Sequence, residues 1–323
     1  MEANPDKPTV VIEDSIVSEN VKKLNEIANV ITLSPYSGVD KWKEAVKNAI
    51  AIVDRKTKIS KEIMDAAPKL RLIARTGIGV DETRIDLEEA KRRKIVITYN
   101  PGINSDSVAE LTVLLVLAIF RKLLVINKYV READWARAQS TIGNNIKGRK
   151  WGIIGFGNAG NRVANLVKTF GCEIYAYDPF IDSYTILSRG ANPLSLEQLL
   201  GQCDIISIHV PLTNFTKHLI GEKEIKLMKS TSVLVNVSRG GIVDDHALYK
   251  ALRADSIMGA GLDTLEDEPI HKDNPLLSLD NVVITPHIGG STHEGIIAGA
   301  ELAVEEVLRL INGLKPLSLY KFE

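Results

Sequence analysis

Apolar positions along the chain fall into two alternating patterns. Short β-rich runs (Val10-Val11-Ile12, then residues 30–33, 50–53, 71–74 and 95–98) alternate with helical periods over 19–28, 42–49, 61–66 and 87–93. Such alternation implies a parallel sheet with crossover helices. The turn Asn100-Pro101-Gly102-Ile103-Asn104 interrupts the series. Pro101 and Gly102 keep helix out of it, and Asn104 or Ser105 can cap a long helix over 105–121. A polar stretch over 134–148 shows no clear period. A second β/α series then runs from Lys150 to about Pro286-His287, and a long helix over 292–312 is stopped by Gly313 and Pro316. The apolar end, residues 317–320, is placed to pair with the first sheet. The expected fold is therefore α/β with two doubly wound β/α domains. Residues 1–103 and 291–323 form one discontinuous domain, and residues 104–290 are inserted in it.

Composition adjusts this picture only at its edges. At 323 residues the chain is long for one core, which agrees with two domains. The formal net charge of −1 offers no sequence-independent attraction to nucleic acid or anionic lipid, so neither partner is expected. The basic cluster at 91–94 ends an apparent helix, where cations oppose the negative helix end. The apolar run 111–120, bounded by Glu110 and Arg121, is too short to span a bilayer. The polar start has no apolar h-region, so no secretory signal is visible. Cys172 and Cys203 border apolar runs outside any metal-ligand spacing and read as core thiols of a reducing compartment. A cytoplasmic location and no metal are the expectation.

The first chemical signal is Gly155-Phe156-Gly157-Asn158-Ala159-Gly160, a G-x-G-x-x-G. The pattern alone is weak, but its context is specific. An apolar strand at 151–154 enters it, a helical segment at 161–170 leaves it, and a second strand at 173–177 ends in Asp178. Gly155 permits the tight turn, Gly157 lets backbone approach a pyrophosphate, and Gly160 lets helix pack on strand. Backbone N–H groups at the helix start then face phosphates. Asp178 is placed to accept the adenosine ribose hydroxyls and to repel a 2′-phosphate, which favours NAD over NADP. The inserted domain thus reads as a Rossmann dinucleotide-binding domain with NAD as its cofactor.

Three further strands of that domain carry polar residues at their carboxyl ends. Residues 232–237 lead to Ser238-Arg239-Gly240-Gly241, residues 259–263 lead to Glu266-Asp267-Glu268-Pro269, and residues 282–285 lead to Pro286-His287. Ligands of doubly wound sheets sit outside those ends. The trio suits reduction of a 2-oxo acid. His287 can give a proton to the developing alkoxide, Glu268 can orient the ring and favour the imidazolium, and Arg239 can fork onto the substrate carboxylate. Each residue alone has a plain alternative as a loop or surface charge; their joint placement carries the reading.

These motifs resemble the D-isomer-specific 2-hydroxyacid dehydrogenase family, and most of all its 3-phosphoglycerate dehydrogenase branch. The resemblance is carried over residues 50–294 by seven further stretches. These are residues 74–81, Asn100-Pro101-Gly102 with Ser107-Val108-Ala109-Glu110, Tyr177-Asp178-Pro179, residues 209–213, residues 236–244, Gly261-Leu262-Asp263 with Glu268-Pro269, and residues 285–292. It implies Arg239, Glu268 and His287 as the catalytic trio, and a flavodoxin-like substrate domain around the inserted one. It also implies the turn Thr76-Gly77-Ile78 as a backbone cradle for the substrate carboxylate, with Arg239 and His287 as further substrate contacts. Asp263 would lie near the nicotinamide carboxamide. His209, Val210, Pro211 and Thr216 would line the cofactor cleft, with Pro179, Val237, Ser238, Gly289 and Gly290 as further cofactor contacts. A homodimer through the inserted domain, or a tetramer, is implied, with residues 111–120 in the interface; the plain alternative is a core helix.

Departures bear on substrate. Phosphoglycerate dehydrogenases commonly carry an arginine after the apolar run that precedes the Thr-containing turn; here Val53 is followed by Asp54, then Arg55-Lys56-Thr57-Lys58. Asp54 is expected to repel a phosphate, with Arg55 or Lys58 as substitute cations. The regulatory C-terminal domains of some phosphoglycerate dehydrogenases, and serine feedback through them, are not expected. The best single expectation is 3-phosphoglycerate/3-phosphohydroxypyruvate. Hydroxypyruvate or glyoxylate comes next, then a sulfonate or phosphonate analogue. An NAD-sensing corepressor-like role keeps the same trio, but the chain lacks extended disordered tails. A formate- or phosphite-oxidising relative pairs its histidine with glutamine, and Glu268 points away from it.

Overall fold

The computed structural model describes residues 4–16, 18–80 and 84–322. The chain forms two compact units, Met1–Asn104 with Gly290–Glu323, and Ser105–Gly289. In the first, strands β1 (Thr9–Glu13), β2 (Asn29–Leu33), β3 (Ala49–Asp54), β4 (Leu72–Arg75) and β5 (Val96–Thr98) make a parallel sheet in the order β2-β1-β3-β4-β5. Alternate residues of β1 serve opposite cores, as a period of two requires. Val11 packs with Trp42, Ile63 and Met64 on one face, while Val10 and Ile12 pack with Leu24, Ala300 and Val304 on the other. The chain end returns to this sheet as expected: Leu319 bridges Thr98 in the antiparallel sense, and Tyr320 N–H donates to the Ile97 carbonyl (2.9 Å).

The second unit holds β6 (Lys150–Ile154), β7 (Glu173–Tyr177), β8 (Asn192–Pro193), β9 (Ile205–Ile208), β10 (Val233–Asn236), β11 (Gly259–Leu262) and β12 (Val282–Ile284). They form a parallel sheet in the order β12-β11-β10-β9-β6-β7-β8. The order reverses beside β6, so the crevice at its carboxyl end is the topological switch point where doubly wound sheets bind ligands. Helices cover both faces. Ser105–Phe120 and Asn158–Thr169 close one core, and Leu196–Gln202, Glu222–Leu227 and Asp245–Arg253 the other.

Three local expectations are corrected. The helical segment expected at 42–49 is the helix Val39–Ala45, and Ala49 already begins β3. The polar stretch 134–148 is helical over Trp135–Ser140, and a helix Leu123–Arg131 precedes it. The run 111–120 is chiefly core. Val113, Leu115, Val116, Ala118, Ile119 and Phe120 are buried within the second unit, and Leu114 is its one strongly exposed apolar residue (54%). The exposed apolar side chains lie just beyond it: Leu123, Leu124, Val130, Trp135 and Ile142. Among the described residues, no helix is long and apolar enough to cross a membrane.

Candidate active site

The glycine turn occupies the switch point. Gly155 adopts φ +88°, and a Cβ there would stand 2.7 Å from the His209 carbonyl oxygen. A Cβ on Gly160 would stand 2.1 Å from the Gly155 carbonyl oxygen, so only glycine lets the Asn158–Thr169 helix start this close to the strand. Gly157 has the opposite surroundings, with nothing within 4 Å of its missing side chain. Phe156 is buried in the core, while Asn158 and Ala159 open the helix. Asp178 follows β7 and is fixed by two backbone groups: Phe156 N–H donates to Oδ2 (2.8 Å) and Phe180 N–H to Oδ1 (2.9 Å). Pro179 sits between them in this turn.

His209 follows β9 beside the same turn. Both its ring nitrogens are buried and have no hydrogen-bond partner among the described residues, and burial pushes the imidazole down to about 3, so it is neutral. Val210 is half-buried, and the loop after it is tied by Thr216, whose hydroxyl donates to the Pro211 carbonyl (2.6 Å) and accepts from Thr213 N–H (2.7 Å). Orphaned buried donors and acceptors are costly unless a ligand satisfies them. The open face at Gly157, the His209 nitrogens and the Asp178 carboxylate fit a dinucleotide, and the glycine turn would hold its phosphates.

Neighbouring β10, β11 and β12 present Arg239, Glu268 and His287 at one edge of the sheet. Asn236 shapes the turn that carries Arg239. Its Oδ1 accepts from the Ser238 N–H (3.1 Å) and hydroxyl (2.8 Å), and its Nδ2 donates to the Arg239 carbonyl (2.9 Å). Val237 is buried, and Ser238 and Arg239 are half-buried. A Cβ on Gly240 would lie 1.7 Å from the Leu265 carbonyl oxygen, so that glycine lets the two loops touch. Glu268 Oε2 lies 2.7 Å from His287 Nδ1, and Oε1 accepts from Leu265 N–H (3.3 Å). Burial raises the Glu268 carboxyl. The His287 hydrogen bond and charge, the Leu265 N–H and the Arg239 charge outweigh this and hold it below the usual range.

His287 itself sits at φ +55°, a left-handed backbone uncommon outside glycine. What holds it there is Asp263, which is 1% exposed. Its carbonyl accepts from His287 N–H (2.8 Å), Oδ1 accepts from the Thr285 hydroxyl (2.6 Å) and Ile288 N–H (2.8 Å), and Oδ2 accepts from Gly289 N–H (2.7 Å). Every one of these bonds goes to the loop that carries the histidine. This anchoring by Asp263 was not visible in the sequence, because its partners lie 22–26 positions along the chain.

The remaining predicted residues belong to the first unit. Thr76 is buried, with its N–H on the Asp54 carbonyl (3.0 Å) and its own carbonyl against Gly299, where a Cβ would approach to 2.2 Å. The N–H groups of Gly77 and Ile78 have no acceptor among the described residues. Asn100, read from sequence only as part of a turn, fixes this segment. Its N–H donates to the Gly77 carbonyl (3.1 Å) and its Nδ2 to the Arg75 (3.1 Å) and Gly299 (2.9 Å) carbonyls. Glu13 was missed as well. Its buried Oε2 accepts the N–H groups of Arg55 (3.1 Å), Lys56 (2.8 Å) and Thr57 (3.0 Å), shaping the loop that presents Arg55. The Arg55 guanidinium reaches Ser291 Oγ (3.4 Å), and Gly290 packs on Asn104, whose Nδ2 would lie 2.3 Å from an added Cβ.

Asp54 corrects an expectation. It is fully buried, and its Oδ2 lies 2.5 Å from Arg75 Nη1 on the adjacent strand. Burial pushes the carboxyl up to about 6, with Arg75 pulling it down and Glu13 pushing it further up. It therefore offers no exposed anion to repel a substrate phosphate. Instead it holds Arg75 inside the sheet.

A dinucleotide turn and a histidine–carboxylate pair on one doubly wound sheet define a nicotinamide-dependent dehydrogenase class of site. Comparison with known proteins agrees. Residues 113–289 match the model of the D-isomer specific 2-hydroxyacid dehydrogenase NAD binding domain. The chain is 38% identical to the glyoxylate reductase of Thermococcus litoralis, covering 97% of this chain and 96% of that one. It is 37% identical to the D-3-phosphoglycerate dehydrogenase of Methanocaldococcus jannaschii, covering 94% of this chain but 57% of that one. Among solved structures, D-lactate dehydrogenase from Aquifex aeolicus, complexed with NAD and lactic acid, superposes with a TM-score of 0.80 at 30% identity, covering 94% of this chain and 96% of that chain. The chain belongs to the D-isomer specific 2-hydroxyacid dehydrogenase family. It is an NAD-binding oxidoreductase acting on the CH–OH group of 2-hydroxy acids.

Proposed function

We propose that the chain reduces short, unphosphorylated 2-oxo acids, glyoxylate and hydroxypyruvate, to their D-2-hydroxy acids with NADH. The observation that carries the choice of substrate is the Asp54–Arg75 pair. The strand end where a phosphate-reading arginine is expected holds a carboxylate, and the arginine nearest to it is 4% exposed and paired. The glyoxylate reductase of T. litoralis, matched over nearly its full length, supports the same choice.

NAD(H) supplies or accepts the hydride when bound. The chain's own residues do the rest. Glu268 holds Nδ1 of His287, leaving Nε2 to give its proton to the carbonyl oxygen and to take it back in oxidation. Arg239 polarises that carbonyl and binds the carboxylate. Asp178 accepts the ribose hydroxyls.

A second reading, 3-phosphohydroxypyruvate, rests on Arg55, whose half-exposed guanidinium reaches Ser291 Oγ (3.4 Å). Steady-state NADH oxidation over glyoxylate, hydroxypyruvate and 3-phosphohydroxypyruvate separates the two. The first reading expects kcat/KM to favour the unphosphorylated acids by about tenfold or more. The reverse ranking, abolished by Arg55→Ala, would establish the second and sink the first.

The exposed apolar residues of Leu123–Arg131, a helix with no buried residue, support a homodimer through this arm. Sedimentation equilibrium showing a monomer at micromolar concentration would remove that reading.

A further inference from the structure

The main chain of Phe156 is flanked by two opposite charges. Its N–H donates to Asp178 Oδ2 (2.8 Å), and its carbonyl accepts from Arg189 Nη1 (3.1 Å). Arg189 caps the short helix Ser183–Ser188 and is exposed, so it is not a core cation trapped by folding. The two charges do not pair with each other. Asp178 is held by the Phe156 and Phe180 N–H groups, and among the described residues no ion pair joins it to Arg189. One nitrogen of the guanidinium is engaged on Phe156, and the remaining donors have no other acceptor among the described residues.

We propose that Arg189 is a cofactor-selectivity residue that receives the 2′-phosphate of NADP(H), offsetting the repulsion from Asp178. Asp178 alone rejects a 2′-phosphate, since a fixed carboxylate beside the ribose meets a dianion. A guanidinium anchored one peptide unit away supplies the complementary charge, and its planar fork suits phosphate oxygens. Both charges are fixed to the same turn, so selectivity is a balance between them. The chain favours NADH while Asp178 is present. Removing Asp178 uncovers a ready phosphate site, and no arginine needs to be introduced.

The inference rests on dinucleotide binding at the Gly155 turn. Its test is a titration of nicotinamide fluorescence, a binding readout independent of turnover, with NADH and NADPH against four proteins. These are the unaltered chain, Asp178→Ala, Arg189→Ala and the double variant. Asp178→Ala should raise the affinity ratio of NADPH to NADH, and adding Arg189→Ala should bring that ratio back down by about tenfold, the scale of one exposed charge-assisted contact. The same ratio should fall with added salt in Asp178→Ala and be flatter in the double variant. A ratio unmoved by Arg189→Ala in the Asp178→Ala background would overturn the assignment and leave Arg189 as a clasp on the Phe156 carbonyl. Failure of the unaltered chain to bind NADH would overturn both this assignment and the cofactor site beneath it.

Discussion

Replacing His287 with alanine is expected to lower kcat for 2-oxo-acid reduction by about 10²–10⁴-fold, the usual contribution of a positioned general acid. The affinity for NADH, read by fluorescence titration, should stay close to that of the unaltered chain. The ring and the backbone of His287 are each held in place. Glu268 holds Nδ1 at 2.7 Å, and Asp263 holds the backbone at a left-handed φ of +55°. Backbone strain of that kind persists where surrounding structure over-determines it, and such places are often functional. Because the Glu268 carboxyl is held below its usual range, the His287–Glu268 pair keeps its carboxylate through mild acid. Turnover unaffected by His287→Ala would remove it as the acid–base group.

The largest effect on stability should come from the first unit. Arg75→Met leaves the Asp54 carboxylate buried without its partner, and breaking such a pair costs about 3–5 kcal/mol. Its dependence on pH has a definite sign. The Asp54 carboxyl ionises near 3.8 in its ordinary state and near about 6 when folded, so the native chain holds this proton more tightly than the unfolded one. The group's contribution to stability is therefore greatest in acid, falls as pH rises between those two values, and is flat above them. Removing Arg75 takes away the charge that lowers this carboxyl, so the window widens upward. The melting temperature of Arg75→Met should accordingly recover part of its loss between about pH 8 and about pH 5, more than the unaltered chain gains over the same interval. A deficit of equal size at both pH values would contradict the buried-pair account.

Much of the architecture could be read from apolar periodicity, because the inner strands of both sheets are buried on both faces and appear as short continuous runs. The glycine turn was readable for a similar reason. Backbone conformation and close approach require glycine at Gly155 and Gly160, while Gly157 faces open space. The helices over 123–140 were not readable. They are short, several of their apolar residues are exposed, and their breaks fall at Lys122 (φ +49°) and Ala133 (φ +60°), residues that give no glycine or proline signal. Asp54 was misread because its partner is across a strand pair: Asp54 and Arg75 share one register position of β3 and β4 but stand 21 residues apart. Glu13 and the anchoring roles of Asn100 and Asp263 escaped for the same reason, since each acts on a loop distant in sequence. Arg239, Glu268 and His287 were visible because strand ends concentrate polar chemistry on one edge.

The most direct measurement is the configuration of the product. Hydroxypyruvate incubated with NADH and the purified chain should consume the cofactor and yield glycerate that chiral chromatography resolves as the D-isomer. L-glycerate, a racemate, or no NADH consumption with any of the short 2-oxo acids would contradict the account.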